Sequence, residues 1–549
     1  MASVARAEAV GQLVEDLSSS ERAMPPTFTD MLSAGYGFID PAVTLGAALE
    51  QGGAVHQQPK VRIPLAMMNR HGLIAGATGT GKTKTLQLLT EQLSAQGVPV
   101  FVADIKGDLS GLAMPGEATD RVTGRAKDVG WDWKPAGVPV EFVSLSGKLG
   151  VQLRATVSSF GPLLLGKTLS LNDTQTSVLT MVFKYCDDSR LPLLDLSDLR
   201  AVLQYLASDE GKPALAQYGG MSNATVGVLL RKLVELESQD ADRFFGEPEF
   251  DVTDLLQLTS DGRGVVTALE LSDVQDKPLL WSTFMMWLLA ELYHNLPEAG
   301  DLPKPKLAFF FDEAHLLFAD ASKAFLDQVQ QVVRLIRSKG VGVYFVTQTP
   351  KDVPSDVLAQ LSNRVQHALR AHTPDDDTAL RATVRTFPKT TFYDLEETLT
   401  ALGIGEAAVT VLDARGSPTP VVATRLIPPA SRMAPLTPDE LQADIRQSAF
   451  LAEYGQAVDR DSAREMLASR MARTQAPVPA APSSSAPAPA PAPAKPGRAA
   501  KTAAQVAGGA LVGALSSTIG RTVGREIIRG VFGLLGAKPP RSTTRRSRW

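Results

Sequence analysis

The chain contains very little cysteine, with Cys186 as its single thiol in 549 residues. One cysteine excludes an intrachain disulfide framework and a metal site built from several thiolates. The N-terminal residues also lack the basic and then apolar order of a secretory signal. We therefore expect a reducing compartment and a cytoplasmic location.

A strong net charge is lacking too, because the total is only −4, but the charges are distributed unevenly. From Lys495 onward eleven Lys or Arg residues accompany one acid, Glu526, so this tail carries about +10 and the rest about −14. Such a tail favours an anionic partner for residues 501–549: an acidic protein, DNA, or a membrane surface touched peripherally. A tail that only keeps the protein soluble is the open alternative.

Short apolar runs separated by helical stretches predict an α/β fold with a mainly parallel sheet, and 44% apolar residues suffice for a large core. Eight prolines in an Ala- and Ser-rich background at Pro477–Pro496 predict a disordered linker. We divide the chain into an N-terminal segment (1–60), two parts of the α/β core (61–108 and 263–430), a largely helical insertion (109–262), a helical extension (431–474), the linker (475–500) and a basic amphipathic tail (501–549).

The expected core strands are short and apolar, as strands covered on both faces are. They are Gly72–Ala75, Val98–Ala103, Val265–Leu271, Leu307–Phe311 and Val341–Thr347. A closing hairpin is predicted from Ala407–Leu412 and Pro420–Ala423, and helical periodicity marks Thr176–Tyr185, Leu196–Leu206 and Thr225–Leu236 in the insertion.

The most specific motif is the segment GATGTGKT at 76–83, which follows an apolar run and precedes a helix-like stretch. It matches the phosphate-loop pattern G-x-x-x-x-G-K-[ST] at every fixed position and in its context. Lys82 is expected to bridge the β- and γ-phosphates, and the Thr83 hydroxyl to ligate Mg²⁺. We expect ATP to contact Gly76, Ala77, Thr78, Gly79, Thr80, Gly81, Lys82, Thr83 and Lys84.

Two acids, Asp312 and Glu313, end the apolar run Leu307–Phe311. This is the Walker B arrangement, in which Asp312 supports the metal and Glu313 polarises the attacking water. The next predicted strand ends at Gln348, which we expect beside Asp312 and near the γ-phosphate. No N-K-x-D base-reading element follows Asp312, so a GTPase is disfavoured. His315 has no second histidine at metal-ligand spacing, so a metalloenzyme is disfavoured as well.

The combined motifs make the chain resemble the HerA/FtsK branch of RecA-like P-loop motor ATPases, most closely the bacterial HerA-like helicase family. They are GATGTGKT at 76–83, FVADIKGD at 101–108, LAFFFDEAHLL at 307–317, RLIRSKG at 334–340 and TQTP at 347–350. The resemblance covers roughly residues 28–429, and it places Asp104, Lys106 and Asp108 in an extended active site.

A homohexameric ring that translocates double-stranded DNA is what this resemblance implies, with an arginine of one protomer reaching the γ-phosphate of its neighbour. Arg337 matches the helix position of the family best, and Arg364 and Arg370 are the other candidates. Archaeal HerA uses an N-terminal β-barrel to bind a nuclease. The 75 residues before Gly76 are too few for that barrel, so we do not expect a nuclease partner.

Two other functions stay open at this point. One is a secretion or conjugation ATPase, for which a clear transmembrane anchor is expected. The other is a scaffold that binds nucleotide, hydrolyses it slowly and docks through its basic tail. Glu313 speaks against the scaffold, since a protein that only binds nucleotide needs no acid to polarise water.

Overall fold

A twelve-stranded sheet forms the centre of the computed structural model, which describes residues 26–215, 218–318 and 323–475. The strand order is β2-β1-β12-β11-β10-β3-β9-β8-β4-β7-β5-β6. The strands are β1 (Ala42–Leu49), β2 (Val55–Pro64), β3 (Gly72–Ala75), β4 (Val100–Asp104), β5 (Val140–Ser144), β6 (Val151–Gln152), β7 (Val266–Glu270), β8 (Leu307–Phe311), β9 (Val341–Thr347), β10 (Asn363–His367), β11 (Glu406–Thr410) and β12 (Val422–Leu426).

The eight strands from β10 to β6 are all parallel, and the four at the other end of the sheet are antiparallel. Every residue of β4, β7, β8 and β9 is buried. Strands covered by helices on both faces are largely apolar, which explains runs such as Leu307–Phe311. The carboxyl ends of the parallel strands therefore share one edge.

Helices connect these strands, and most of them begin after a residue whose side chain caps the first turn. Asn172, Asp195 and Ser222, for example, each accept a hydrogen bond from a backbone N–H of the first turn. The helices are α1 (Phe28–Tyr36), α2 (Lys82–Ala95), α3 (Asp120–Asp128), α4 (Val157–Thr168), α5 (Asp173–Ser189), α6 (Leu196–Ala207), α7 (Lys212–Leu215), α8 (Asn223–Glu237), α9 (Pro278–Asn295), α10 (His315–Phe318), α11 (Lys323–Ile336), α12 (Ser355–Leu358), α13 (Pro374–Val384), α14 (Leu395–Ala401), α15 (Pro438–Ile445), α16 (Ala449–Tyr454) and α17 (Ala463–Gln475).

The α/β fold class with a mainly parallel sheet is confirmed. All five expected core strands are present, three of them with the predicted bounds and β4 and β7 displaced by one or two residues. The predicted hairpin corresponds to β11 and β12, which pair in antiparallel fashion. Helices α5, α6 and α8 account for the helical periodicity of the insertion.

The insertion is not helical throughout, because β5 and β6 join the sheet next to β7. Each is too short for its sequence alone to indicate a strand. The N-terminal segment also contributes to the sheet, since β1 pairs with β12 and β2 pairs with β1. The core of the sheet is thus wider than the sequence predicted.

The chain divides after Arg464 into two compact units. The described residues of the second unit, 465–475, are helical. The predicted linker and tail fall, from residue 476 onward, outside the described residues. Within the described ranges, we find no helix both long and apolar enough to cross a bilayer.

Candidate active site

The glycine-rich loop lies where β3 ends and α2 begins, at the carboxyl edge of the parallel strands. Its backbone is tied to two neighbouring strands. The Gly76 N–H lies 3.2 and 3.1 Å from the carbonyl oxygens of Thr347 and Gln348, and the Ala77 N–H donates to Ala368 at 2.8 Å. Gly81 has φ of 112°, a left-handed conformation that disfavours any side chain. The sequence motif therefore folds as a phosphate loop held by β9 and β10.

Lys82, the first residue of α2, is 7% exposed, and its Nζ lies 3.2 Å from the carbonyl oxygen of Ala77. Burial lowers the pKa of this ammonium group, whereas the charges of Glu313 and Asp312 raise it. Strand β8, which ends at the two acids, is separated from β3 by β9 alone, so the start of α2 and the acids share the carboxyl edge of the sheet. The charges of Lys82 and of the two acids therefore influence one another.

Asp312 directly follows β8, and Asp104 ends the adjacent parallel strand β4. Burial raises the pKa of Asp312 to about 7, and the nearby charges of Asp104 and Glu313 add to this effect. Burial likewise raises the pKa of Asp104 to about 6, although its carboxylate accepts backbone hydrogen bonds from Lys106, Gly107 and Leu109 at 3.1, 2.7 and 2.8 Å. The carboxyl groups at this edge of the sheet thus carry more negative charge than the neighbouring hydrogen-bond donors compensate.

This carboxylate cluster fits a divalent cation. Carboxylate oxygens of Asp104, Asp108 and Asp312 all lie within 4.8 Å of one another. Oδ1 of Asp108 and Oδ2 of Asp312 are buried and have no hydrogen-bond partner among the described residues. Hard cations such as Mg²⁺ prefer oxygen ligands of this kind. Thr83 lies between Lys82 and Lys84 in the first turn of α2, and the charge of Asp312 raises the pKa of both lysines.

Glu313 is 3% exposed and has φ of 46°, an unfavourable left-handed conformation for a residue with a side chain. Its Oε1 is paired with the ammonium group of Lys106, and its Oε2 lies 3.1 Å from Nδ1 of His315. The following N–H, of Ala314, donates to the carbonyl oxygen of Val346 at 2.8 Å. Backbone strain of this kind persists where the surrounding structure fixes it, and it is frequent at active sites.

The other predicted residues are placed differently. Gln348 is exposed directly after β9, beside the phosphate loop to which its carbonyl is hydrogen-bonded. Arg337 is exposed and precedes β9, so it lies at the opposite, amino edge of the sheet. Arg364 pairs with Leu73 near the start of β3, and its guanidinium group donates to the carbonyl oxygens of Leu361 and Thr386. Within one chain, neither arginine is brought to the loop.

Several features of the site escaped the sequence analysis. Glu270 ends β7 opposite Asp104, and burial together with the charges of Asp104 and Asp108 raises its pKa to about 9. The only sequence signal was an acid near the end of a predicted strand. The pairing of Lys106 with Glu313 left no signal, because it depends on the order of the strands. The same holds for the Gly405 N–H, which donates to the carbonyl oxygen of Thr80 in the loop at 2.9 Å.

Comparison with known proteins finds one family model, Helicase HerA-like C-terminal, that matches residues 50–540. The DNA double-strand break repair helicase HerA of Sulfurisphaera tokodaii is 22% identical over 377 residues, which cover 65% of this chain and 66% of that protein. The protein of the same name from Sulfolobus acidocaldarius is 21% identical over 365 residues, with the same coverage. The chain thus matches just under two thirds of the length of these curated relatives.

Solved structures with similarity include the bacterial conjugative coupling protein TrwBdeltaN70, with a TM-score of 0.46, 15% identity, and coverage of 73% of this chain and 98% of that one. VirB4 of Thermoanaerobacter pseudethanolicus gives a TM-score of 0.43, 14% identity, and coverage of 71% and 97%. The family model spans most of the chain and includes the phosphate loop, the paired acids and Gln348. The chain therefore belongs to the HerA-like C-terminal helicase family, and its core is an α/β P-loop ATPase fold.

Proposed function

We propose that the chain hydrolyses ATP and couples hydrolysis to movement along double-stranded DNA, as one subunit of a homohexameric ring. The observation that carries the proposal is that Lys82, Asp312 and Glu313 all lie at the carboxyl edge of the parallel strands, where α2 begins and β8 ends. An ammonium group, a metal-binding acid and a second acid are the parts that phosphoryl transfer to water requires. Family membership supports the motor class, and the curated relatives are described as DNA repair helicases.

In this mechanism the phosphate loop and Lys82 bind the β- and γ-phosphates. Thr83, Asp312 and the adjacent Asp104 and Asp108 would hold Mg²⁺, which neutralises charge on the phosphate oxygens. Glu313 accepts a proton from the attacking water.

The neighbouring groups of the site complete the proposal. Gln348 is neutral and lies beside the loop, so it can orient the water or detect the γ-phosphate without adding charge. Arg337 supplies positive charge to the site of the adjacent protomer, because it is exposed on the edge opposite its own phosphate loop. The location in the cytoplasm remains part of this proposal and follows from the single, buried thiol of Cys186.

Substitution of the acid tests the hydrolytic step. We expect Glu313→Gln to bind ATP with unchanged affinity and to lower turnover by about 10²–10⁴-fold, the range of general-base contributions. Lys82→Ala should abolish binding. Glu235→Gln is the matched control, because Glu235 is 57% exposed and lies on α8, outside every motif of the site. Normal turnover by Glu313→Gln would remove Glu313 from the mechanism and favour a nucleotide-binding scaffold.

The proposed substrate is tested separately, by measuring ATP turnover with duplex DNA, single-stranded DNA and RNA. We expect duplex DNA to stimulate turnover most, and we expect the stimulation to be lost in Lys82→Ala. A rate that is the same with all three nucleic acids and without any would contradict translocation on DNA while leaving ATP hydrolysis intact.

A further inference from the structure

A short turn at residues 402–405, between α14 and β11, lies directly beside the phosphate loop. Because β11 is antiparallel to β10, its first residue lies at the edge where β10 and β3 end. The Gly405 N–H donates to the carbonyl oxygen of Thr80 at 2.9 Å. A Cβ atom added to Gly81 would lie 3.3 Å from the backbone nitrogen of Gly405. The turn and the loop are therefore in contact.

Side chains from two directions fix this turn. The guanidinium group of Arg125, on α3, donates to the carbonyl oxygens of Ile404 at 3.0 Å and Gly405 at 3.2 Å. On the other side, the Glu406 carboxylate accepts from the Gly403 N–H at 2.9 Å and pairs with Arg425 at 2.9 Å. The turn is held rigidly.

Ile404 is nevertheless 56% exposed at this position. A single exposed isoleucine is ordinary on a protein surface. Ile404, however, lies on a fixed turn that is hydrogen-bonded to the phosphate loop. The carbonyl groups of Ile404 and Gly405 already accept hydrogen bonds from Arg125, so they are less available to accept hydrogen bonds from a ligand. The site therefore offers an apolar surface.

The turn and the two acids lie on opposite sides of the phosphate loop. The acids follow β8 and β4, on one side of β3, whereas Ile404 precedes β11, on the other side. A nucleotide with its γ-phosphate at Asp312 and Glu313 extends its nucleoside away from those acids. The side of the loop that carries Ile404 is the one available to it.

We propose that Ile404 is the apolar contact of the nucleobase and that Arg125 is the residue that positions it. This inference rests on the proposed function, since it requires a nucleotide in the phosphate loop. Recognition by apolar area rather than by hydrogen bonds also implies weak discrimination between purine bases.

Comparison of ATP with tripolyphosphate, which lacks the nucleoside, isolates this contact. In equilibrium titrations of the full chain, we expect Ile404→Ser to weaken ATP binding about 5- to 10-fold, from the loss of part of the burial of an isoleucine side chain. Tripolyphosphate affinity should stay within about twofold of the wild type. Ile39→Ser is the matched control, because Ile39 is 97% exposed, and it should change neither affinity. Ile404→Leu, which keeps an apolar side chain of similar size, should bind ATP with the affinity of the wild type.

Arg125→Met tests the positioning role. We expect it to raise the KM for ATP with little change in kcat, and to add little further loss in combination with Ile404→Ser. An equal loss of ATP and tripolyphosphate binding in Ile404→Ser would indicate a distorted loop and overturn the proposal. Unchanged ATP affinity with an altered oligomeric state would assign Ile404 to a protein interface instead. Failure of the wild type to bind ATP would refute the proposed function itself.

Discussion

The ion pair between Lys106 and Glu313 provides the sharpest test of the electrostatics of the site. The Glu313 side chain is 4% exposed, whereas that of Lys106 is 45% exposed. Burial lowers the pKa of Lys106, but its hydrogen bond with Glu313 and the charge of that carboxylate raise the pKa above its ordinary value. Lys106→Met removes the partner and leaves a carboxylate buried next to Asp312.

The expected cost follows from this asymmetry of exposure. Removing one partner of a fully buried pair costs roughly 3–5 kcal/mol. Water screens the exposed half of Lys106, so we expect Lys106→Met to lower the free energy of unfolding by about 1–2 kcal/mol. In a Glu313→Gln background the carboxylate that Lys106 contacts is absent, and the same substitution should cost less than about 0.5 kcal/mol.

Urea titrations of the nucleotide-free wild type, the two single variants and the double variant measure this difference as a coupling free energy. Lys184→Met is the matched control, since Lys184 and its partner Asp188 are 60% and 43% exposed. It should cost no more than about 0.5 kcal/mol. Equal losses for Lys106→Met in both backgrounds would refute the reasoning, because they would show that the lysine acts through packing and not through the carboxylate.

Two further predictions concern a neighbouring subunit and pH. Mixing Arg337→Ala with Lys82→Ala protomers should restore part of the ATPase activity that each variant lacks, and no recovery at any ratio would count against Arg337 acting in trans. His71 is buried, which lowers its pKa to about 4, and its Nδ1 accepts the Val343 N–H at 3.0 Å. In the unfolded chain the imidazole binds a proton below about pH 6.5, so the free energy of unfolding falls as the pH falls from 6.5 toward 4. Between pH 7 and 5 the wild type should therefore lose about 2 kcal/mol more of this free energy than His71→Asn, as measured in urea titrations. Equal losses would contradict this.

The sequence predicted those parts of the site that are local in the chain. The phosphate loop needs only eight consecutive residues, and the acids need only a buried strand that ends at Phe311. Ile404 could not be found in this way, because its neighbours in the loop are more than 300 positions distant and become adjacent only through the pairing of β10 with β11 and β3. Glu270 was missed for a related reason, since its raised pKa depends on the register of β7 with β4.

Strands β5 and β6 were missed because a run of five or two residues carries too little periodicity to separate it from a loop. Strand β2 was missed because its first half is polar and at most partly buried, with residues such as His56 and Gln57, and its burial shows no period of two. The role of β1 and β2 as strands is decided by the neighbouring β12, which lies near the other end of the folded region.

The separation of Arg337 from the phosphate loop of its own chain has a consequence for how activity depends on concentration. If each catalytic centre combines the two opposite sheet edges of successive subunits, an isolated monomer contains two incomplete halves and no working centre. An open row of subunits leaves its two terminal halves unused, whereas a closed ring uses all of them. Specific activity should therefore rise with protein concentration, from near zero to a plateau. The plateau should be reached at the concentration at which the rings close.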